Sequence, residues 1–155
     1  MSDADRSYLF DVGVIALAHT AAPVRDSALS YVRDAITGDI DAVVPYPALF
    51  GAHTILTTYY GHSNEDASRL LQNFMDAKQI HWYDGMPEDV VRSGFSQASE
   101  ANVGGWDGYY AQVAIDQKVD TVLTIDDDFE RFDTFETEVI LSADEFSELN
   151  RFLGN

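Results

Sequence analysis

Five short apolar runs punctuate the chain, at 8–10, 42–44, 80–83, 121–125 and 139–141, and each reads as a buried strand. Between them, residues 23–36, 47–60, 63–77, 87–101, 106–117 and 144–152 read as helices. The helix ends carry their own signals. The first stops near Gly38 and the second at Gly61, as left-handed C-terminal glycines would require. Ser63 with Asp66 three residues on opens the third, and Ser142 with Glu145 repeats that capping pattern before the last. Pro87-Glu88-Asp89 suits a first turn and its positive dipole end. Alternating strands and helices with short links predict an α/β fold whose sheet is parallel and flanked by helices.

Composition narrows the class without changing the fold. A chain of 155 residues, 46% of them hydrophobic, suits one domain over 1–155 and buries a core without staples. There is no cysteine, which excludes disulfides, thiolate zinc sites and a cysteine nucleophile. The stretch Met1 to Arg6 has neither a basic segment nor a long apolar run, and nothing later approaches the roughly 18 apolar residues of a membrane span. A cytoplasmic location is the expectation.

Charge is the stronger signal. Twenty-seven acidic residues oppose nine basic ones, of which only Lys78 and Lys118 are lysines, for a formal charge of -18. The acids are spread through a chain rich in aromatic and β-branched residues, so they do not mark a disordered tail. Such self-repulsion is tolerable where molar salt shortens the Debye length to about 3 Å, and the composition points to an extreme halophile.

Four of the aspartates stand where chemistry is expected. Asp11 follows Tyr8-Leu9-Phe10, Asp107 follows Gly104-Gly105-Trp106, and Asp126 and Asp128 close the run that begins at Thr121. In an open α/β sheet, ligands bind outside the carboxyl ends of the strands. Carboxylate oxygens suit hard cations, and like charges brought together are relieved by one, so the pattern points to a shared Mg²⁺ or Mn²⁺ site.

Tyr8-Leu9-Phe10-Asp11, the late-helix start Trp106-Asp107-Gly108-Tyr109-Tyr110-Ala111 and the segment Val122-Leu123-Thr124-Ile125-Asp126-Asp127-Asp128-Phe129 together resemble the PIN domain, in particular its toxin-like, VapC-type members. The resemblance spans residues 8–141. It implies a three-layer α/β/α sandwich with a mostly parallel sheet, a homodimer, and a Mg²⁺- or Mn²⁺-dependent endoribonuclease acting on RNA, often paired with a small antitoxin. Asp11, Asp107 and Asp126 then take the metal, with Asp128 beside them. Two positions depart from the pattern. The family carries a further acid in the helix after the second strand, where the nearest equivalent is His53, a ligand better suited to Mn²⁺ than to Mg²⁺. It also favours a hydroxyl residue two after the first Asp, where this chain has Gly13.

Plainer readings stand beside these. Asp11 suits the cap of a following helix, Asp107 a first-turn acid, Asp126 and Asp128 a solvated acidic surface, and His53 a satisfied, partly buried histidine. Tyr59, Tyr60, Tyr109, Tyr110, Trp82 and Trp106 suit stacking on unpaired bases as well as packing, and Trp106 is the one expected to line a cleft and bind substrate. The arginines form no basic stripe, so charge alone does not hold RNA. Two function classes remain: a metal-dependent endoribonuclease, and a catalytically degenerate PIN-like module that binds RNA or a protein. A phospho-acceptor receiver or phosphatase is weaker, because Asp11-Val12-Gly13 lacks an acid two residues after Asp11.

Overall fold

All five apolar runs enter one sheet. In the computed structural model, which describes residues 6–154, these strands are β1 (Ser7–Phe10), β2 (Asp41–Pro45), β3 (His81–Tyr83), β4 (Thr121–Thr124) and β5 (Glu136–Val139). Their order across the sheet is β3-β2-β1-β4-β5, and every neighbouring pair is parallel. The expectation about the extreme N-terminus lies outside the described residues. The central strands β1, β2 and β4 are buried along nearly their whole length, which is why they appear in sequence as continuous apolar runs.

Among the described residues seven α-helices accompany the sheet: α1 (Val12–Ala18), α2 (Arg25–Thr37), α3 (Tyr46–Thr58), α4 (Asn64–Phe74), α5 (Glu88–Ala101), α6 (Gly105–Asp116) and α7 (Ala143–Phe152). Right-handed crossovers put the helices linking β1, β2 and β3 on one face and those leading from β3 to β4 on the other. The packing agrees: α1 touches α2 and α3, α3 touches α4, and α5 packs on α6. The result is an α/β/α sandwich. Strand order reverses at β1, which has β2 on one flank and β4 on the other, so the crevice beyond β1 and β4 is the topological switch point. Among the described residues, no helix is long and apolar enough to cross a membrane.

The caps follow the sequence signals closely. Ser63 accepts the Asp66 N–H at 3.0 Å, Ser142 and Glu145 form a reciprocal capping box, and Gly38 takes φ 82° after α2. Two elements differ from expectation. Helix α1 has no amphipathic stripe to reveal it, because Gly13 to Ala18 are buried on every side. Strand β5 begins at Glu136 and not at Val139, since an edge strand needs ladder partners more than apolar side chains and pairs Thr121 with Glu136 through Thr124 with Val139.

The α5–α6 crossing sets the height of one candidate residue. A Cβ on Gly94 would stand 3.0 Å from the Tyr109 Cα, and one on Gly108 would fall on the Gly94 carbonyl oxygen and 2.8 Å from the Ala98 Cβ. The two backbones therefore meet through glycine, immediately after Asp107. Replacing Gly108→Ala forces them apart and is expected to cost about 1–3 kcal/mol, the usual range for overpacking, read as a lowered midpoint in guanidinium unfolding.

Candidate metal centre

Asp11 leaves β1 and enters α1 as its N-cap. Its Oδ1 accepts the Val12 N–H at 2.8 Å, its Oδ2 accepts the Thr124 hydroxyl at 3.1 Å, and its own N–H donates to the Leu123 carbonyl at 3.0 Å. The capping reading and the strand-end reading thus describe the same residue. Thr124, wholly buried at the end of β4, accepts the Asp126 N–H at 3.3 Å, and Asp126 Oδ1 accepts the Asp128 N–H at 3.1 Å. One chain of hydrogen bonds therefore runs from β1 through β4 into the loop beyond it.

Asp107 comes to the same place from the first turn of α6, half-buried. The carboxylates lie near enough for their charges to act on one another. Burial pushes the Asp11 carboxyl up from 3.8 to about 7, helped by the charges of Asp107 and then Asp126, while the bonds from Val12 and Thr124 pull the other way. Burial, then Asp126 and Asp128, push Asp107 up to about 6. Asp126 is raised as well, by burial first, with Asp128 and Asp127 adding to it. No ion pair among the described residues answers these charges. Among the described residues the ion pairs are Arg6–Glu136, Arg69–Asp66 and Arg92–Glu88, and Arg131, three residues beyond Asp128, donates instead to the Asn102 carbonyl at 2.6 Å.

The structure does not bring His53 to this group. Its Nε2 lies 3.1 Å from the Ser68 hydroxyl, and its ring lines a groove of about 410 Å³ between α3 and α4, with Tyr46, Leu49, Phe50, Leu71 and Met75. The position of α3 that approaches Val12, the residue after Asp11, is Gly51. A Cβ there would meet the Val12 Cγ1 at 2.7 Å and lie 3.9 Å from the Tyr110 hydroxyl, which is itself in the field of Asp11 and Asp107. Gly13 is similarly closed off, since a Cβ on it would stand 2.9 Å from Ile125 Cγ1. Trp106 is 60% exposed in the turn that carries Asp107.

Two residues at the centre escaped sequence reasoning. Thr124 binds Asp11 only because β4 lies beside β1, which its own sequence neighbourhood does not state. Tyr110 looks like core packing, and its buried ring is that; the only sequence hint is its place one helical turn after Trp106 and three residues after Asp107.

No family model matches the chain, and no curated protein matches it by sequence. Solved structures do match. The chain is similar to VapBC2 from Rickettsia felis, seen bound to a DNA fragment from its promoter, with a TM-score of 0.63 and 15% identity over 85% of this chain and 97% of that one. It is similar to VapC20 of Mycobacterium tuberculosis, a Sarcin-Ricin loop cleaving toxin, with a TM-score of 0.65 and 13% identity over 79% of this chain and 92% of that one. FitAcB from Neisseria gonorrhoeae gives a TM-score of 0.57 and 18% identity over 84% and 95%. At these identities the likeness shows the fold alone, and that fold is PIN-like, of the VapC kind.

In donor type and charge, the residues present suit a hard divalent cation: oxygen donors, excess negative charge, no competing base. Among the described residues no three Asp, Glu or His side chains stand close enough to share one ion as they are. Mg²⁺ is commonly held by one or two carboxylates and several waters, so a full protein cage is not required.

The raised carboxyls fix the sign of a pH effect. With folded values of about 7 and about 6 against 3.8, the folded state holds protons that the unfolded chain has lost. Stability is therefore greatest below that window and falls as pH rises through it. In chelator and molar KCl the melting temperature is expected to drop between about pH 5 and about pH 8, and Asp11→Asn is expected to flatten the drop. Added Mn²⁺ should raise the melting temperature more at the higher pH, because the ligands must first lose their protons.

Proposed function

We propose that this chain is a metal-dependent endoribonuclease of the toxin type, hydrolysing RNA phosphodiesters at the group formed by Asp11, Asp107 and Asp126, with Asp128 at its margin. The observation that carries this is the grouping of four carboxylates, from β1, α6 and the loop after β4, near the switch point of a PIN-like sheet, with no ion pair to any of them among the described residues. The likeness to a Sarcin-Ricin loop cleaving toxin supports a folded RNA as substrate.

Asp11, Asp107 and Asp126 would hold Mg²⁺ or Mn²⁺. When bound, such an ion stabilises charge on the scissile phosphate and lowers the pKa of a water. The protein's own part is orientation. Val12 and Thr124 fix both oxygens of Asp11, the Asp128 N–H fixes one oxygen of Asp126, and the α6 crossing fixes where Asp107 begins its helix. The buried Tyr110 ring, in the field of Asp11 and Asp107, lowers the dielectric around them.

The setting belongs to the same proposal. The charge of -18 supports a high-salt cytoplasm. A small antitoxin and a second copy of the chain are the proposed protein partners. The apolar groove between α3 and α4, with Phe50 78% exposed at its rim, supports a covering partner of one kind or the other.

A second reading has its own observation. Gly51 offers no acid where α3 meets the centre, which favours a degenerate, RNA-binding or protein-binding module. Cleavage of total cellular RNA in molar KCl separates the two. Discrete fragments are expected with Mn²⁺ or Mg²⁺ and none with chelator. Asp107→Asn is expected to lower the rate by about a hundredfold or more, since even the supporting partners of metal ligands are worth about 10–100-fold. Folded, inhibitor-free protein that cleaves in no metal would sink the nuclease.

The degenerate reading makes its own forecast. An acid at position 51 needs the space now filled by Val12 Cγ1, so the variant to make is Val12→Ala with Gly51→Glu. On that reading the double variant gains Mn²⁺ affinity by calorimetry and acquires cleavage; on the nuclease reading the parent already cleaves.

A further inference from the structure

Beside Asp107 the surface changes character. Met86, Val91, Phe95, Gly105, Trp106 and Tyr109 line a cavity of about 300 Å³ between the start of α5 and the start of α6. In a chain with 27 acidic residues, none of these lining side chains is charged. Phe95 is 64% exposed, Trp106 60% and Met86 45%, an arrangement that leaves large apolar surfaces in water without serving the core.

The aromatic wall is braced from behind. Trp106 stacks on Tyr110 with centroids 6.0 Å apart and planes at 20°, and meets Tyr109 edge-on at 6.0 Å and 85°. The Tyr109 hydroxyl donates to the Gly85 carbonyl at 3.0 Å, which ties the cavity floor to the loop before α5. Tyr110 continues from this wall into the field of Asp11 and Asp107, so one aromatic surface leads from the cavity to the carboxylates.

We propose that this cavity is a nucleobase subsite, which takes an unpaired base of the RNA by stacking against Trp106 and Phe95 while the attached phosphate lies towards Asp107. The proposal rests on the ribonuclease reading and adds to it the part of the substrate that is gripped. Charge complementarity selects the occupant. A polyanion gains nothing from a surface of net charge -18, and molar salt removes most of what basic side chains would contribute. A flat, uncharged base suits an uncharged aromatic slot, and stacking survives salt. Adjacency supplies the rest: Trp106 and Asp107 are consecutive, as a base and its phosphate are separated by a single ribose.

The test uses the full chain with Trp82→Phe, which leaves Trp106 as the only tryptophan, its fold confirmed by melting. In chelator and molar KCl, tetraadenylate and the same tetramer without bases are titrated against Trp106 fluorescence. The base-bearing probe is expected to quench and the base-free probe not to. The affinity is expected to hold as KCl is raised several-fold, and to weaken about tenfold with Phe95→Ala, from the worth of one stacked base.

Equal quenching by both probes, or no effect of Phe95→Ala, overturns the subsite. So does sedimentation that finds a dimer shielding Trp106 and released to monomers by Phe95→Ala, because the occupant is then a second copy. Chelator makes the readout independent of cleavage. Metal-dependent cleavage without base-specific quenching removes the subsite and leaves the nuclease. Base-specific quenching without cleavage in any metal supports the subsite on an RNA-binding surface and removes the nuclease.

Discussion

A carboxylate buried at the end of a central strand constrains everything around it. Asp11 is 6% exposed, yet it closes β1 at the one seam of the sheet where the strand order reverses. Burial disfavours its charge, and two hydrogen bonds, from Val12 and Thr124, do not fully offset that, as its carboxyl at about 7 records. The seam therefore has to supply β4 with a hydroxyl at its last residue. It also has to let the loop beyond β4 fold back so that Asp126 can bind that hydroxyl, and to leave space on the α6 side for Asp107. Those demands account for the parallel pairing of β1 with β4 better than core packing alone, since Leu9, Phe10, Val122 and Leu123 would pack on a sheet of either sense.

How much of this the sequence revealed depends on period. Strands that are buried on both faces announce themselves as apolar runs, and β1, β2 and β4 fell where the runs predicted. Helices with a polar face and a capping residue did the same, α4 through Ser63 and α7 through Ser142. Helix α1 did not, because a helix buried on all sides has no stripe, and β5 was shifted because an edge strand is chosen by its ladder. The aspartates were legible as strand-end and helix-start acids, but their bonding partners were not. Thr124 acquires its role from a strand more than a hundred residues away in sequence, and Tyr110 from a glycine on α3.

That Gly51, and not His53, is the α3 residue beside Val12 and Tyr110 shows why sequence matching fails more readily on helices than on strands. Two residues along a strand return to the same face. Two residues along a helix rotate by about 200°, so a small offset exchanges the buried face for the far one. His53 accordingly sits with Ser68 in the α3–α4 groove, while Gly51 faces Val12 and Tyr110. The chain has filled the space in front of α3 with the Val12 methyl and the Tyr110 ring, an apolar solution that lowers the dielectric around three carboxylates and raises the charge imbalance that a cation would relieve.

On the proposed function, acidity and RNA binding are reconciled by dividing the work. Exposed ion pairs such as Arg69–Asp66 and Arg92–Glu88 are spent within single helices and contribute little even to stability. A chain of net charge -18 does not attract a polyanion at long range, and the proposed function then rests on two short-range contacts in place of a long-range one. A cation at the aspartates would bridge phosphate to carboxylate, and an uncharged aromatic wall would hold a base. Neither contact depends on a basic stripe, and each is set by residues in the same turn of α6, Trp106 and Asp107. The glycine crossing of α5 and α6 matters for that reason: Gly94 and Gly108 bring the two helices together where Phe95 and Trp106 line one cavity and Asp107 starts beside it, so a single backbone contact positions both the proposed grip and the acid proposed to face the metal.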